Sequence, residues 1–478
     1  MVWNPPKVGD RMKTIHYIGI GGYGMSAIAR VALEKGYRVT GSDVAKSALA
    51  AQLEVAGAEL HIGHDARWVE GADEVVYSTA IADDHVEVMA AKQAGIPLKH
   101  RAEQLAEWLH LNKGIAVAGA HGKTTTSSMV AHVLREAGLE PTFIIGGEVV
   151  NAGTNAQAGS GQFTVAEADE SDGSFLNYHP WAAIVTNIEA DHLEHYKGEY
   201  ANLFNSYQQF IGQVQANGIS VLCADDSEVC KIIPFSGGNP ILYGLKAGGE
   251  SLDWTADHIE LGDRSASYHV IHRGEFWGQV KLRVPGIHNV SNSLAVIAVA
   301  MACGAAKDAV IEALGTFGGA KRRFQVIGET QDWLVVDDYA HHPTEISATL
   351  KAAKATGRRI VAIFQPQRYT RTYFLFDQFA ESFREADVLL LTDIFSPAGE
   401  KKIDGVSSVD LLKRMDELQA GPVVAIHTPN LQDVLVQLEQ VAKPGDLVLT
   451  MGAGDVWKVA KQFWAIIGSE TTVKGGQL

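Results

Sequence analysis

A short apolar strand, a glycine turn and an amphipathic helix follow one another in residues 15–32, IHYIGIGGYGMSAIARVA. The helix is indicated by Met25, Ile28, Ala29 and Ala32, which recur at helical spacing. Between strand and helix the chain reads G-x-G-x-x-G, a pattern in which glycines let the backbone close on a diphosphate at a helix N-terminus. This stretch therefore predicts a Rossmann-like unit that binds a nucleotide.

The glycines of this turn are Gly19, Gly21, Gly22 and Gly24, and Asp43 stands 19 residues after the last of them. An acidic residue at that distance can accept a hydrogen bond from a ribose hydroxyl. NAD and a UDP-sugar both contain a ribose and a diphosphate, so the pattern is compatible with either ligand. A tight turn that binds no ligand is the simpler alternative.

Strands and helices keep alternating along the 478 residues, which predicts an α/β fold with parallel sheets. We predict three domains, 1–112, 113–320 and 321–478, because polar or glycine-rich stretches separate these units. The first and third domains are expected to be Rossmann-like, and the central one to be P-loop ATPase-like with a mixed sheet. Apolar and polar residues alternate over 254–284, which predicts an antiparallel insertion there.

Composition excludes several classes of function. The chain has 40 basic and 56 acidic side chains, a formal charge of −16, which disfavours nucleic-acid binding. The longest apolar stretch, Leu294 to Ala305, has 12 residues, whereas a bilayer span needs about 20. Three cysteines without a C-x-x-C pair support neither a disulfide framework nor a zinc site. We expect a soluble cytoplasmic protein that binds neither nucleic acid nor membrane.

A second nucleotide loop, GAHGKTTT at residues 119–126, lies between a predicted strand and a predicted helix. Its backbone N–H groups would hold phosphates, Lys123 would neutralise the β and γ oxygens, and the Thr124 hydroxyl would bind Mg²⁺. Two nucleotide loops about 100 residues apart argue against a simple dehydrogenase.

Two acidic motifs follow the next two predicted strands, EADESD at residues 167–172 and NIEADH at residues 187–192. Carboxylates at strand ends beside a nucleotide loop indicate a Mg²⁺ site, although a solvated acidic loop explains either motif alone. Further on, Asn289 and Asn292 precede an apolar helix, where simple helix capping is the alternative to ligand binding.

Arginines and histidines cluster in predicted loops of the third domain, in Arg322-Arg323, in DDYAHHP at residues 337–343 and in RYTR at residues 368–371. Close-set arginines in an acidic chain favour an anionic ligand such as phosphate or carboxylate. For the two histidines, a surface turn set by the proline is an equally simple account.

Together these motifs resemble the Mur ligase family, the ATP-dependent enzymes that build the peptidoglycan precursor. The resemblance covers nearly the whole chain, through GIGGYGMS, STAI at residues 78–81, HRAEQLAE, AGAHGKTTT, EADESDGSF, TNIEADH, GIHNVSN, RRF, DDYAHHPTE, FQPQRYTRT and MGAGDVW. Several motifs are most similar to those of the member that attaches the first amino acid. The resemblance implies amide formation between UDP-N-acetylmuramate and L-alanine through an acyl phosphate, with release of ADP and phosphate in the cytoplasm.

The resemblance also implies a role for each motif residue. The UDP-sugar would contact Gly19, Gly21, Gly22, Gly24, Asp43, Ser78 and Thr79. ATP would contact Gly119, Ala120, His121, Gly122, Lys123, Thr124, Thr125, His288, Asn289, Asn292, Arg323 and Asp338. Two Mg²⁺ ions would be held by Thr124, Glu167 and His192, and the amino-acid pocket would contain Tyr339, His342, Gln367, Arg368 and Arg371. The catalytic residues would be Lys123, Glu167, His192 and Arg323.

Three alternatives remain open from the sequence. A recycling ligase would join a ready-made tripeptide to the same UDP-sugar with the same loops. An NAD-dependent oxidoreductase with an accessory ATPase domain, or a catalytically silent nucleotide-binding partner protein, would use the same glycine turns differently. The chain is expected to be a monomer or a dimer.

Overall fold

The structure is a computed structural model that describes residues 7–8, 11–246, 251–396 and 400–474. The chain divides into two compact units. The first unit comprises Met1–Asp257, His269–Val280 and Ser291–Gly318, and the second comprises His258–Tyr268, Lys281–Val290 and Gly319–Leu478. Among the described helices, none is both long enough and apolar enough to cross a membrane.

The first unit begins with a five-stranded parallel sheet in the order β5-β4-β3-β6-β7, preceded by a two-stranded ladder, β1-β2. The chain moves outward from β3 on one side and then returns to β6 on the other, which creates a crevice at the carboxyl ends of β3 and β6. The strands are β1 (Lys7–Val8), β2 (Arg11–Met12), β3 (Thr14–Ile18), β4 (Arg38–Asp43), β5 (Glu59–Ile62), β6 (Glu74–Tyr77) and β7 (Leu98–His100). The helices are α1 (Tyr23–Glu34), α2 (Ala48–Val55), the short 3-10 helix Ala66–Val69, α3 (Val86–Ala94) and α4 (Arg101–Leu111).

Helix α1 confirms the strand, turn and helix predicted from the first glycine motif. Its predicted inner face, which includes Met25, Ile28 and Ala32, is buried. Gly41 on β4 allows the turn to pack closely, because a Cβ there would lie 2.6 Å from the Ile20 side chain. The glycine turn therefore sits directly on the sheet, at the crevice.

A mixed sheet of ten strands follows, in the order β10-β9-β11-β8-β12-β13-β14-β15-β16-β17. Strand β8 is parallel to both of its neighbours, β11 and β12, so the carboxyl ends of these three strands meet at one edge. The strands are β8 (Lys113–Ala118), β9 (Thr142–Val149), β10 (Thr154–Gln157), β11 (Phe163–Glu167), β12 (Ala182–Val185), β13 (Ile219–Cys223), β14 (Asn239–Tyr243), β15 (Trp254–Leu261), β16 (Ala266–His272) and β17 (Glu275–Leu282). The helices are α5 (Lys123–Glu136), α6 (Tyr200–Gly212), α7 (Ser227–Ile232), α8 (Ile287–Ala302), α9 (Lys307–Thr316) and the 3-10 helices Ser174–Asn177, Leu193–Tyr196 and Ile233–Phe235.

The strands predicted over residues 254–284 are present as β15, β16 and β17. They are consecutive neighbours joined by short turns, the connection that antiparallel strands permit.

The second unit contains a six-stranded sheet in the order β18-β19-β23-β20-β21-β22, in which only β18 runs antiparallel to its neighbour. Its strands are β18 (Gln325–Glu329), β19 (Leu334–Asp338), β20 (Ile360–Phe364), β21 (Val388–Leu391), β22 (Val424–His427) and β23 (Leu447–Met451). Its helices are α10 (Pro343–Lys354), α11 (Tyr369–Phe374), α12 (Phe376–Glu381), α13 (Ser408–Glu417), α14 (Leu431–Val441) and α15 (Trp457–Lys474). The inner strands are fully buried because helices cover both faces of the sheet. The predicted α/β class is thus confirmed.

Candidate functional site

The first glycine turn is held in place by the end of β4. The Gly19 amide donates to the backbone carbonyl of Ser42 at 2.8 Å, and the Gly21 amide donates to Asp43 Oδ2 at 2.8 Å. A Cβ on Gly21 would lie 2.9 Å from the same Asp43 oxygen, so the turn requires glycine at this position. Asp43, predicted to meet a ribose, therefore also fixes the shape of the turn.

The turn after β6 lies beside the same glycines. It is closed by the Ile81 amide, which donates to the Ser78 carbonyl at 2.9 Å. A Cβ on Gly19 would lie 3.9 Å from Ile81 Cδ1. Ser78 and Thr79, from the predicted STAI motif, are thus brought to the crevice that the glycine turn borders.

Arg101 also lies in this region, although it is not among the contacts predicted from the sequence. It begins α4, and its Nη1 lies 2.6 Å from the point where a Cβ on Gly24 would be. Within the described residues the Arg101 guanidinium has no ion-pair partner. The motif HRAEQLAE contains this arginine, and its position at a helix start was the available signal.

The second glycine loop takes the form expected of a phosphate-binding loop. Gly119 and Gly122 both have positive φ angles, +134° and +85°, and Gly122 immediately precedes α5. Lys123 folds back along the loop, and its Nζ donates to the Gly119 carbonyl at 2.6 Å and to the Ala120 carbonyl at 3.3 Å. The loop, the helix start and the ammonium group therefore form one compact structure. Thr125 lies buried in the first turn of α5.

The residues that follow β12 clasp this loop. Asn187 Oδ1 accepts from the His121 amide at 2.8 Å, and Asn187 Nδ2 donates to the His121 carbonyl at 3.0 Å. The Thr186 hydroxyl donates to the same carbonyl at 2.6 Å. His121 Nε2 also lies 3.2 Å from a Glu189 oxygen. Part of the predicted NIEADH motif is therefore used to shape the phosphate loop.

Lys123 is paired with a buried carboxylate from the other acidic motif. Its Nζ lies 2.8 and 2.9 Å from the two oxygens of Glu170, whose side chain is buried. Burial lowers the pKa of Lys123, but the charges of Glu170 and Asp169 outweigh burial and raise that pKa above its ordinary value. The ammonium group therefore stays charged.

Glu167 ends β11 and faces the start of α5. Its Oε1 accepts from the Gly146 amide at 2.9 Å, and its carboxylate accepts from the Thr124 hydroxyl. Burial raises the pKa of Glu167 above its ordinary value. The structure thus brings together Lys123, Thr124 and Glu167, as the sequence predicts.

His192 follows β12 with a positive φ of +55°, and its amide donates to Asp191 Oδ1 at 2.9 Å. Burial acts to raise the pKa of Asp169, yet the charge of Lys123, hydrogen bonds from Ser171 and the nearby His192 lower it overall. His192 is therefore close enough to interact electrostatically with the EADESD motif.

The two asparagines of the His-Asn-x-x-Asn motif fall in different units. In the first unit, Asn292 Oδ1 lies 3.2 Å from the position of a Cβ on Gly122, which places this amide beside the phosphate loop. In the second unit, His288 is exposed, and Asn289 Nδ2 donates to the Pro285 carbonyl at 2.7 Å. Asn289 thus lies inside the first turn of α8 and bonds to the segment before the helix, and both capping and ligand binding stay predictions for this motif.

Asp338 ends β19 in the second unit and is buried. It accepts from the Phe324 amide and from the Ala340 amide, both at 2.7 Å. Burial raises the pKa of Asp338 to about 6, although the charge of Arg323 opposes this. Arg323 lies over the Tyr339 ring, 5.3 Å from its centre.

The remaining predicted pocket residues lie at helix starts of the second unit. His342 precedes α10, and its ring accepts from the backbone two residues on. Arg368, with a φ of +69°, precedes α11, which contains the buried Arg371. Gln367 forms an isolated bridge with Phe395. These residues thus lie at or beside helix starts, and their ligand roles stay a prediction.

Comparison with known proteins identifies relatives over almost the whole chain. The models of the Mur ligase family catalytic domain, the Mur ligase middle domain and the Mur ligase glutamate ligase domain match residues 14–113, 117–300 and 322–454. A UDP-N-acetylmuramate–L-alanine ligase of Symbiobacterium thermophilum is 47% identical over 458 residues, 94% of each chain. The corresponding ligase of Pelotomaculum thermopropionicum is 45% identical over 94% of this chain and 96% of its own.

Solved structures show the same architecture. The UDP-N-acetylmuramate–alanine ligase of Thermotoga maritima superposes with a TM-score of 0.78 at 30% identity, covering 96% of this chain and 99% of that one. A murein peptide ligase of Psychrobacter arcticus gives a TM-score of 0.68 at 27% identity, covering 95% and 99%. The three-domain α/β architecture predicted from the sequence is confirmed by these matches. With three domain models in order along the sequence and relatives at 45–47% identity across it, the chain belongs to the Mur ligase family.

Proposed function

We propose that this chain is an ATP-dependent ligase that forms an amide bond between the carboxylate of UDP-N-acetylmuramate and L-alanine in peptidoglycan precursor synthesis. The observation that carries the proposal is the cluster of Lys123, Thr124 and Glu167 at the phosphate loop, in a chain 47% identical to a ligase with this name. We further propose a cytoplasmic location and domains at 1–112, 113–320 and 321–478, for the UDP-sugar, ATP and the amino acid respectively.

The UDP-sugar would occupy the crevice at the carboxyl ends of β3 and β6. Gly19, Gly21, Gly22 and Gly24 would approach its diphosphate, with Asp43, Ser78 and Thr79 as further contacts. Arg101 adds a positive charge that the glycines cannot supply, because its guanidinium lies beside Gly24 and has no partner within the described residues. Backbone amides and a guanidinium together are a suitable pair of donors for a diphosphate.

ATP would lie on the second loop, where the amides of residues 122–125 at the start of α5 and the Lys123 ammonium would face its phosphates. Asn292 would contact it from beside Gly122. In the second unit, His288, Asn289, Arg323 and Asp338 are proposed as further ATP contacts. Lys123 now pairs with Glu170, so we expect the ammonium to exchange this carboxylate for phosphate oxygens when ATP binds.

The residues at this loop fit Mg²⁺. Glu167, Asp169 and Glu170 place three carboxylates around a single ammonium group, an excess of negative charge that a divalent cation would balance. Thr124, Glu167 and His192 would hold the ions, of which we propose two, and oxygen donors dominate as Mg²⁺ prefers. When bound, Mg²⁺ would stabilise negative charge on the phosphoryl oxygens in transfer.

The chemistry follows from the poor reactivity of a carboxylate. The muramyl carboxylate takes the γ-phosphoryl group of ATP, and Lys123 stabilises charge on the transferring oxygens. The alanine amine then attacks the acyl phosphate, and phosphate leaves as the amide forms. In the second unit, Tyr339, His342, Gln367, Arg368 and Arg371 are proposed to form the amino-acid pocket, where an arginine would pair with the alanine carboxylate.

Phosphate release from ATP tests the proposal. The protein is incubated with UDP-N-acetylmuramate, ATP and Mg²⁺, and with L-alanine, glycine, L-serine or the tripeptide L-alanyl-γ-D-glutamyl-meso-diaminopimelate as acceptor. We expect release with L-alanine and the matching amide product. Release without any acceptor would contradict ligase activity, and release with the tripeptide alone would assign the chain to the peptide-recycling class, which includes the solved murein peptide ligases.

Thr124→Val tests the proposed metal contact because it removes a hydroxyl with little change in shape. The variant should need a higher Mg²⁺ concentration for half-maximal rate while its UDP-sugar affinity is unchanged. Thr126→Val, two residues further along α5 and fully buried, is the matched control. An equal Mg²⁺ requirement in both variants would contradict the assignment of Thr124.

A further inference from the structure

A buried carboxylate lies beneath the crevice of the first domain and belongs to none of the motifs discussed so far. Glu87, in the first turn of α3, is fully buried. Its Oε2 accepts from the Ser42 hydroxyl at 2.7 Å and lies 2.9 Å from His16 Nε2, and its Oε1 lies 2.9 Å from His64 Nδ1. One carboxylate thus joins α3 to β3, to β4 and to the loop after β5.

The groups that face Glu87 can all donate hydrogen bonds to it. A carboxylate can only accept, so both facing histidine nitrogens and the serine hydroxyl carry the hydrogens. His16 Nδ1 lies 2.8 Å from Thr40 Oγ1, so the other side of this ring is bonded to β4. Burial acts to raise the pKa of Glu87, but these donors outweigh it and lower the pKa, so Glu87 is ionised.

The residue that Glu87 holds is the one that shapes the glycine turn. The Ser42 carbonyl accepts from the amides of Gly19 and Ile20 at 2.8 and 3.0 Å. The adjoining Asp43 accepts from the Gly21 amide. The end of β4 therefore transmits the position set by Glu87 to the backbone proposed to bind the diphosphate.

We propose that Glu87 is a positioning residue for the UDP-sugar site, holding the end of β4 so that the amides of the glycine turn are correctly aimed. This inference rests on the proposed function for the identity of the ligand. Glu87 itself lies under the sheet edge and acts through Ser42. Its contribution is geometric, since the ligand meets the glycine turn and Asp43.

Glu74 offers a matched control in the same sheet. It is also a buried carboxylate, at the amino end of β6, and its Oε2 lies 2.7 Å from Lys13 Nζ and 2.9 Å from Lys99 Nζ. Because it lies at the opposite edge of the sheet from the crevice, its loss should lower stability without altering the glycine turn.

The test compares Glu87→Gln with Glu74→Gln in the full chain by titration calorimetry with UDP-N-acetylmuramate and, separately, with ATP. Glu87→Gln should bind the UDP-sugar about tenfold more weakly, the loss expected when a charge-assisted hydrogen bond becomes neutral, with ATP affinity within about twofold of the wild type. Glu74→Gln should keep both affinities. Wild-type UDP-sugar affinity in Glu87→Gln, or equal weakening in both variants, would overturn the inference.

A second variant and a ligand-free measurement keep the test decisive. Ser42→Ala removes the hydroxyl that links β4 to Glu87 and to His64, and it should weaken UDP-sugar binding in the same direction if Glu87→Gln does not fold. Hydrogen exchange of the unliganded protein should be faster for the amides of residues 19–21 in both variants and unchanged for residues 113–118. Unchanged exchange at residues 19–21 would overturn the inference whatever the ligand is. Whether UDP-N-acetylmuramate is the ligand is tested separately, by its binding to the wild-type protein.

Discussion

Replacement of Lys123 by Met should have two separable effects, one on catalysis and one on stability. The substitution removes the ammonium proposed to face the phosphates, so we expect no measurable turnover. It also leaves the buried Glu170 carboxyl group without its cation, since both oxygens of Glu170 lie within 2.9 Å of Lys123 Nζ and burial already raises the pKa of Glu170 above its ordinary value. Breaking a buried pair on one side costs about 3–5 kcal/mol in the free energy of unfolding.

The double variant Lys123→Met, Glu170→Gln separates the charge from the loop itself. Once the unpaired Glu170 carboxyl group is replaced by a neutral amide, the remaining loss is that of ordinary hydrogen bonds, about 1 kcal/mol each. The second substitution should therefore recover about 2 kcal/mol or more of the free energy of unfolding. Activity should stay absent in the double variant. The second substitution would then restore stability without restoring turnover.

Urea unfolding followed by circular dichroism measures these differences, from midpoints compared at a common slope. Arg38→Met is the control, because Arg38 pairs with Glu59 at 2.9 Å on the surface, where such pairs contribute about 0.2–1 kcal/mol. The reasoning would be refuted if Lys123→Met were no less stable than Arg38→Met. Strict additivity of the two substitutions in the double variant would refute it equally.

Three further substitutions test other parts of the molecule. Asp338→Asn removes a carboxyl group whose pKa in the folded protein, about 6, exceeds its ordinary value of 3.8. Between these pH values the folded wild type binds more protons than the unfolded chain, so it should lose on the order of 1–3 kcal/mol of stability relative to the variant as pH rises from 4 to 7. A difference in urea midpoints that does not change with pH would contradict this. Gly119→Ala puts a Cβ 2.1 Å from the Thr186 hydroxyl and should abolish ATP binding, as measured by calorimetry. Gly138→Ala, also at positive φ but in open space, should bind ATP like the wild type. Equal ATP affinities of the two variants would count against the assignment of the loop. Arg101→Met should raise the KM for the UDP-sugar about tenfold and leave the KM for ATP unchanged, and a rise in both would point to a general structural role.

The parts of the fold predicted from sequence are those with a local signal. Inner strands such as β20 and β21 are continuous apolar runs, because both of their faces are covered. The strands β5, β7 and β22 lie at sheet edges, are partly exposed and show no such run, so the sequence pattern does not indicate them. Exposure on one side, rather than weak strand preference, explains these omissions.

In the candidate site, too, the residues that could be predicted are those with a local sequence signal. Gly119 and Gly122 are predicted because a helix must begin just after a turn that needs positive φ, which is a local property. Glu170 pairs with Lys123 across 47 positions of sequence, and Glu87 reaches His16 across 71. No spacing rule connects residues so far apart, because strand order in the folded sheet alone brings them together.

The clasp of Thr186 and Asn187 on the phosphate loop means that the loop is not a portable motif. Its curvature is supplied by a neighbouring strand 60 or more positions later, through three hydrogen bonds to His121. If GAHGKTTT were grafted between another strand and helix, the sequence alone would not reproduce the conformation of the loop. We therefore expect the loop and Thr186-Asn187 to evolve together, so that a substitution in one is compensated by a substitution in the other.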